Sequence, residues 1–205
     1  MIAIIDYEAG NLTSVKRALD SLGIDCVVTP DPAVIARAQR IIFPGVGHAS
    51  AAMAALSRRG LDTPLREAVA RGTPVLGICL GTQIILSRSQ EGETECLGLI
   101  PGMVKKFMFD DPAFKIPHMG WNAVGFVRPH PVFAGLEPGT EFYFVHSYYP
   151  CPDNEEAVVG TCEYGIRFTA AIGCGSLVAT QFHPEKSGRP GLRILENFSR
   201  WDGRW

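Results

Sequence analysis

The sequence predicts an α/β protein: a doubly wound, mostly parallel sheet flanked by helices, with a small antiparallel extension in its second half. Two observations carry that reading. In the first half, short continuous apolar runs alternate with segments of helical spacing, the pattern of strands buried on both faces by crossover helices. From about residue 103 the texture changes to closely spaced strand-like runs separated by Gly, Pro, Asp and Asn. At 205 residues and 46% hydrophobic the chain can bury a full core. It has no internal repeat, low-complexity tract or long linker, so one domain over 1–205 is expected.

The elements follow in order. "IAII" (2–5) reads as the first strand. Asn11 can cap a helix whose apolar residues Leu12, Val15, Leu19 and Leu22 recur at helical spacing, with Gly23 as its stop. "IDCVVT" (24–29) is a second strand, "DPAVIARAQ" a short helix and "RIIF" (40–43) a third strand. "HASAAMAALSRRG" and "TPLREAVARG" read as helices, with Pro64 in an early-helix position. "PVLGIC" (74–79) is the fourth strand and "LGTQIILSRS" its helix. Further on, "MVKKF", "NAVGFV", "EFYFVHSYY", "EAVVGTCEY", "RFTAAIG" and "SLVATQF" are strand-like. Some of these form the antiparallel extension, while "EFYFVHS" and "LVATQF" can return to the main sheet. "GLRILENFSRW" closes the chain as a helix with Leu192, Leu195 and Phe198 on its apolar face.

Composition narrows the function. A net charge of −2 without blocks of like charge argues against a nucleic-acid or anionic-membrane partner. The start, "MIAIIDYEAG", has neither a basic n-region nor a long apolar run, so a cytoplasmic location is expected. The six cysteines form no C-x-x-C pair and match no zinc spacing. Five of them read as small buried residues.

Cys79 is the exception. Gly77-Ile78-Cys79-Leu80-Gly81 has the G-x-nucleophile-x-G form of a strand-to-helix elbow, where backbones approach too closely for larger side chains. An elbow puts the sulfur near a helix N-terminus, which favours thiolate, and lets the Leu80 amide donate to an oxyanion. The pentapeptide alone fits equally a helix packed tightly on a strand. A thiolate in acyl transfer needs a base, and of five histidines His183 stands out, after a strand in "QFHPEKS". With Pro184 holding the chain extended, His183 and Glu185 share a face, giving nucleophile, base and orienter. "FPGVGH" (43–48), after the third strand, can turn a backbone amide at Val46 or Gly47 toward the same point.

"PGVG", "GICLGTQ" and "QFHPEKS", in this order and at these separations, resemble the class I (triad) glutamine amidotransferases. With "DYEAGNLTSV", "PHMGWN" (117–122) and "YFVHSYY" (143–149), the chain further resembles the glutaminase subunits of imidazole glycerol phosphate synthase. The resemblance spans essentially the whole chain and implies a flavodoxin-like sheet. It implies that Cys79 forms a γ-glutamyl thioester with L-glutamine, and that His183 protonates the ammonia and then activates water. Glu185 holds His183, and Leu80 with Val46-Gly47 supplies the oxyanion amides. In the family the PGVG peptide reorients before it donates. Gln83, with the backbone of Ser147 and Tyr148, matches positions that hold the substrate. Asn11, Trp121, Tyr143 and Lys186 match positions at the interface with a (β/α)8-barrel cyclase, which receives the ammonia in a heterodimer. No metal or other cofactor is implied, because nucleophile and oxyanion donors come from the protein. Thr82 stands where methionine is usual, and "HASAAM" and "SRSQEG" also depart from the family pattern; none removes a catalytic group.

Three other readings stay open. A diverged glutaminase subunit could serve another ammonia acceptor. A stand-alone cysteine hydrolase of γ-glutamyl amides would work at full rate without a partner. A non-catalytic binding module would have no need of Cys79, His183 and Glu185 together.

Overall fold

The computed structural model describes residues 1–8 and 10–205. Ala9, inside the quoted "DYEAGNL" stretch, lies outside the described residues. Strand β1 (Ile2–Ile5) is followed by α1 (Leu12–Ser21), β2 (Cys26–Thr29), α2 (Pro32–Ala36) and β3 (Arg40–Gly45). Helices α3 (Ala49–Arg58) and α4 (Asp62–Ala70) lead to β4 (Val75–Cys79) and α5 (Leu80–Ile84). The second half holds β5 (Arg88–Ser89), β6 (Thr94–Glu95), β7 (Gly102–Lys106), β8 (His118–Phe126) and β9 (Glu141–His146). Then come β10 (Tyr148–Pro152), β11 (Val158–Tyr164), β12 (Ile166–Cys174), β13 (Leu177–Thr180) and α6 (Gly188–Arg200).

Nine strands form one sheet in the order β2-β1-β3-β4-β13-β12-β11-β8-β9. The first five are mutually parallel and the remainder antiparallel. Alternation along the parallel strands sorts their side chains into two cores. Ala3, Ile5, Ile41, Phe43 and Val75 face one way, with Leu56 and Leu65 of α3 and α4. Ile2, Ile4, Ile42, Leu76 and Ile78 face the other, with Leu19 of α1 and Ile194 and Phe198 of α6. The doubly wound α/β class is therefore correct.

Several sequence expectations need correction. The second-half extension is not small: four antiparallel strands extend the main sheet, and β10-β7-β5-β6 form a second, mixed sheet in which β5 and β7 run parallel. As expected, both "LVATQF" and "EFYFVHS" return to the main sheet, the first beside β4 in the parallel region and the second at its antiparallel edge. The helix after Cys79 stops at Ile84 instead of running to Ser89. The cause is tertiary: the amides of Leu97, Gly98 and Leu99 bond the carbonyls of Ile84, Leu86 and Ile85, capturing acceptors a longer helix would use. Asn11 precedes α1 but its side chain makes no cap; its backbone is left-handed, at φ 75°. Asp31, by contrast, caps α2 through the Ala33 amide.

Candidate active site

β3 and β4 run side by side, with Gly45 in register with Cys79. At the end of β4 the chain turns sharply into α5, and Cys79 takes φ 54°, ψ −106°. A non-glycine residue held there carries backbone strain of about 1–3 kcal/mol, tolerated when the surroundings fix it. They do so here through glycine. A Cβ on Gly81 would lie 1.9 Å from the Phe43 carbonyl oxygen, and one on Gly77 would lie 2.9 Å from the Ala179 Cβ. Only bare backbone allows α5 to start this close to β3. With five residues, α5 contributes less dipole than a full helix; its free first-turn amides, Leu80 among them, are what remains at the thiol.

Behind the sulfur, His183 Nδ1 meets Glu185 Oε1 at 2.7 Å, both side chains wholly buried. The pairing is not made by strand alternation as expected. His183 is extended, but Pro184–Lys186 form a 3-10 turn that folds Glu185 back onto the ring. That turn is locked in place: the His183 amide donates to the Tyr143 carbonyl, and Ser187 Oγ donates to the His183 carbonyl. Gly191 lets α6 pack against it, since a Cβ there would lie 1.9 Å from the Pro184 oxygen. Burial pulls the His183 pKa down. The Cys79 thiol and the Glu185 carboxylate outweigh this and raise it to about 10. His183 Nε2 has no aligned hydrogen-bond partner among the described residues. Its link to Cys79 is thus one of proximity and charge, of the kind that tightens when a substrate is bound.

In front of the sulfur is a cavity of about 290 Å³. Val46, Gly47, Leu80, Gln83, Ser147 and Tyr148 all line it with Cys79, so sequence positions far apart converge as expected. Val46 is exposed and Gly47 has φ 111°, a backbone only glycine adopts readily. Gln83 turns its amide into the wall, donating to the Tyr148 carbonyl at 2.9 Å and to Gln181 Oε1 at 3.1 Å. Two cavities of about 560 Å³ lie elsewhere, around Arg128. Neither borders the elbow, and chemistry follows the thiol rather than the volume.

The remaining predicted residues flank the triad. Asn11 Nδ2 donates to Glu185 Oε1, the oxygen that also bonds His183. Trp121 stands on β8, 55% exposed, with its ring 6.1 Å from Tyr143 on β9. Lys186 lies over the Tyr143 ring at 5.7 Å. Trp121, Tyr143 and Lys186 are thus linked ring to ring and cation to ring beside the buried His183.

Sequence reasoning missed three groups. Gln181 Nε2 donates to Cys79 Sγ at 3.7 Å. Glu91 lines the cavity and anchors the Ala49 amide, just past the PGVG loop, at 2.7 Å. Tyr7 is buried with its hydroxyl unpartnered, against Gly45. "TQF" and "SQEGE" carried no signal for the first two, because nothing local places them near Cys79. Among the described residues, no three His, Cys, Asp or Glu side chains converge on a point that could hold a metal ion.

The arrangement can ionise a thiol, hold a tetrahedral oxyanion at backbone amides and deliver a proton to a leaving group. Comparison with known proteins agrees in kind. The family model "Glutamine amidotransferase class-I" matches residues 3–200. Imidazole glycerol phosphate synthase subunit HisH of Nitratidesulfovibrio vulgaris strain DP4 is 55% identical, covering 98% of this chain and 96% of that protein. The HisH subunit of Moorella thermoacetica is 53% identical, covering 96% and 93%. Among solved structures, PurLQS from Thermotoga maritima superposes with a TM-score of 0.72 over 97% of this chain and 97% of its own; at 18% identity it shares the fold.

Proposed function

The chain belongs to the class I glutamine amidotransferases, and on that premise we propose that it is the glutamine-hydrolysing subunit of an imidazole glycerol phosphate synthase of histidine biosynthesis. Its whole length forms one amidotransferase domain. The observation that carries the reading is the strained Cys79 elbow backed by the buried His183–Glu185 pair and facing a cavity bordered by Leu80 and Val46-Gly47.

His183 takes the Cys79 proton, and Glu185 stabilises the imidazolium that results. The thiolate attacks the side-chain carboxamide carbon of L-glutamine, and the charge that develops on oxygen is met by the Leu80 and Val46-Gly47 amides. His183 then gives its proton to the departing nitrogen, leaving a γ-glutamyl thioester and ammonia. In the second half-reaction His183 deprotonates water, which cleaves the thioester to glutamate and restores the thiol. Gln83 and the Ser147-Tyr148 backbone shape the glutamine cavity, and the Glu91 carboxylate gives it a counter-charge for the substrate's α-ammonium. No cofactor enters these steps.

The relatives' name, a synthase subunit, supports a heterodimer with a cyclase. The partner is a (β/α)8 barrel, docked on the face of Asn11, Trp121, Tyr143 and Lys186, and it consumes the ammonia to form imidazole glycerol phosphate and an aminoimidazole carboxamide ribonucleotide. No helix of the described residues is long and apolar enough to cross a membrane, consistent with a cytoplasmic pair. The test is glutamate release with and without a candidate cyclase and its nucleotide ligand. The natural chain is expected to be stimulated strongly by the liganded partner, and Cys79→Ala to release none. Turnover by Cys79→Ala would end the nucleophile assignment; full activity of the natural chain alone would favour the stand-alone hydrolase.

A further inference from the structure

Of the three buried histidines outside this chemistry, His118, His130 and His146, two meet each other. His118 on β8 and His146 on β9 are register partners, and His118 Nδ1 lies 2.9 Å from His146 Nε2. On its other side, His146 Nδ1 lies 2.8 Å from the Tyr148 carbonyl. A carbonyl only accepts, so His146 carries its proton on Nδ1. Burial holds both rings neutral, pulling His118 down to about 4 and His146, against its bond to Tyr148, to about 3. With a single proton on each ring, His146 Nε2 is an acceptor and His118 must donate to it from Nδ1. His118 Nε2 is then an acceptor in turn, 3.3 Å from Asn122 Nδ2. The Asn122 amide is itself oriented, donating to the Glu163 carbonyl at 2.9 Å and accepting from the Ala123 amide at 2.8 Å.

One backbone carbonyl therefore fixes two tautomers and the direction of every bond back to β8. The same carbonyl accepts from Gln83, which donates also to Gln181, and Gln181 donates to the Cys79 sulfur. We infer that His118 and His146 are positioning residues, forming a one-way hydrogen-bond relay from Asn122, next to Trp121, to the Tyr148 backbone that walls the glutamine cavity. The ring chemistry explains the residue type. Imidazole can accept at one edge and donate from the other within a buried, uncharged layer. The opposite tautomer of His146 would set two acceptors face to face at the Tyr148 carbonyl.

The functional half of the inference rests on the glutaminase reading above, whereas the tautomers do not, and the experiment separates them. Nitrogen-detected NMR of the full chain, between about pH 6.5 and 8, is expected to show both rings neutral with the proton on Nδ1. A proton on Nε2 of either ring overturns the relay, whatever the enzyme does. In glutamate-release assays with the liganded partner, His118→Phe is expected to raise KM for glutamine about tenfold while kcat changes less than about threefold. His118→Asn, whose amide can donate in place of Nδ1, should recover most of that loss. An unchanged KM in His118→Phe, or a fall in kcat alone, overturns the positioning role. If His118→Phe does not fold, the tautomers of the natural chain decide. Absence of any glutamine turnover in the natural chain would sink the functional reading while leaving the tautomer result standing.

Discussion

Asn11 sits where a capping residue belongs and caps nothing; its amide reaches 174 positions along the chain to Glu185. That contact fixes the carboxylate that fixes the imidazole, so Asn11→Asp would oppose two carboxylates at hydrogen-bond range. We expect kcat for glutamate release to fall about a hundredfold and KM little, with Asn11→Ala milder, at about tenfold. Equal activity of all three chains would reduce Asn11 to a surface residue. Tyr7 makes the opposite case. Burial, and after it the charge of Cys79, push its phenol well above the ordinary tyrosine value, and its hydroxyl has no partner. Removing an unsatisfied buried group relieves its desolvation, so Tyr7→Phe should leave the fold as stable or more stable by up to about 1 kcal/mol, read by urea denaturation. A clear loss of stability would show that the hydroxyl is bonded in solution. The Cys79 elbow and the pairing of His183 with Glu185 could be anticipated because each lies within a short motif. Asn11 was legible only through the family resemblance, and Gln181 and Tyr7 not at all, since their roles are set by contacts between distant segments.

At the level of elements, strand and helix order through β4 could be read directly, because buried parallel strands and amphipathic helices have distinct periods. The length of α5 could not. Residues 80–85 are all buried, so no polar face marks where the helix ends, and its limit comes from carbonyls claimed by residues 97–99. The placement of β9 at the sheet edge was equally hidden, since an apolar alternating run fits any position with one covered face. The elbow gives the sharpest prediction. Gly81→Ala places a methyl group 1.9 Å from the Phe43 carbonyl oxygen, a backbone atom that cannot rotate away. A loss of more than about 3 kcal/mol is expected, seen as a large drop in urea midpoint or in soluble yield. Gly23, with nothing within 4 Å of the same atom, is the control for a turn glycine whose only demand is its positive φ. A wild-type urea midpoint in Gly81→Ala would show that β3 and α5 are farther apart than described.

The molecule as a whole should be acid-labile well above the carboxylate range. Burial depresses His118 and His130 to about 4 and His146 to about 3. An unfolded histidine titrates near 6.5, so between that value and about 4 the unfolded chain binds protons that the folded chain refuses. The contribution of these three rings is full above about pH 6.5 and falls as pH drops, by up to about 1.4 kcal/mol per unit for each ring. His183 has the opposite sign: its raised pKa contributes fully below about 6.5 and is lost as pH rises through about 10. Urea unfolding at pH 7.5, 6 and 5, all values within about two units of free histidine, should give a steadily falling midpoint. A flat midpoint over that range would mean that these rings are accessible to protons in the native state.

Gly45 and Cys79 are neighbours in one parallel ladder. On the proposed mechanism, the gauge between the attacking sulfur and the strand leading to the oxyanion amides is therefore the spacing of a β-sheet, about 4.8 Å, which side-chain substitution scarcely alters. One jaw of this calliper is fixed by the hydrogen-bond geometry of the sheet. Beyond Gly45 the other jaw is an exposed valine and a glycine whose missing side chain would meet nothing. Substitution at these two residues therefore meets little steric resistance from neighbouring atoms, so on the proposed mechanism the oxyanion peptide can vary while the attack distance stays set by the sheet.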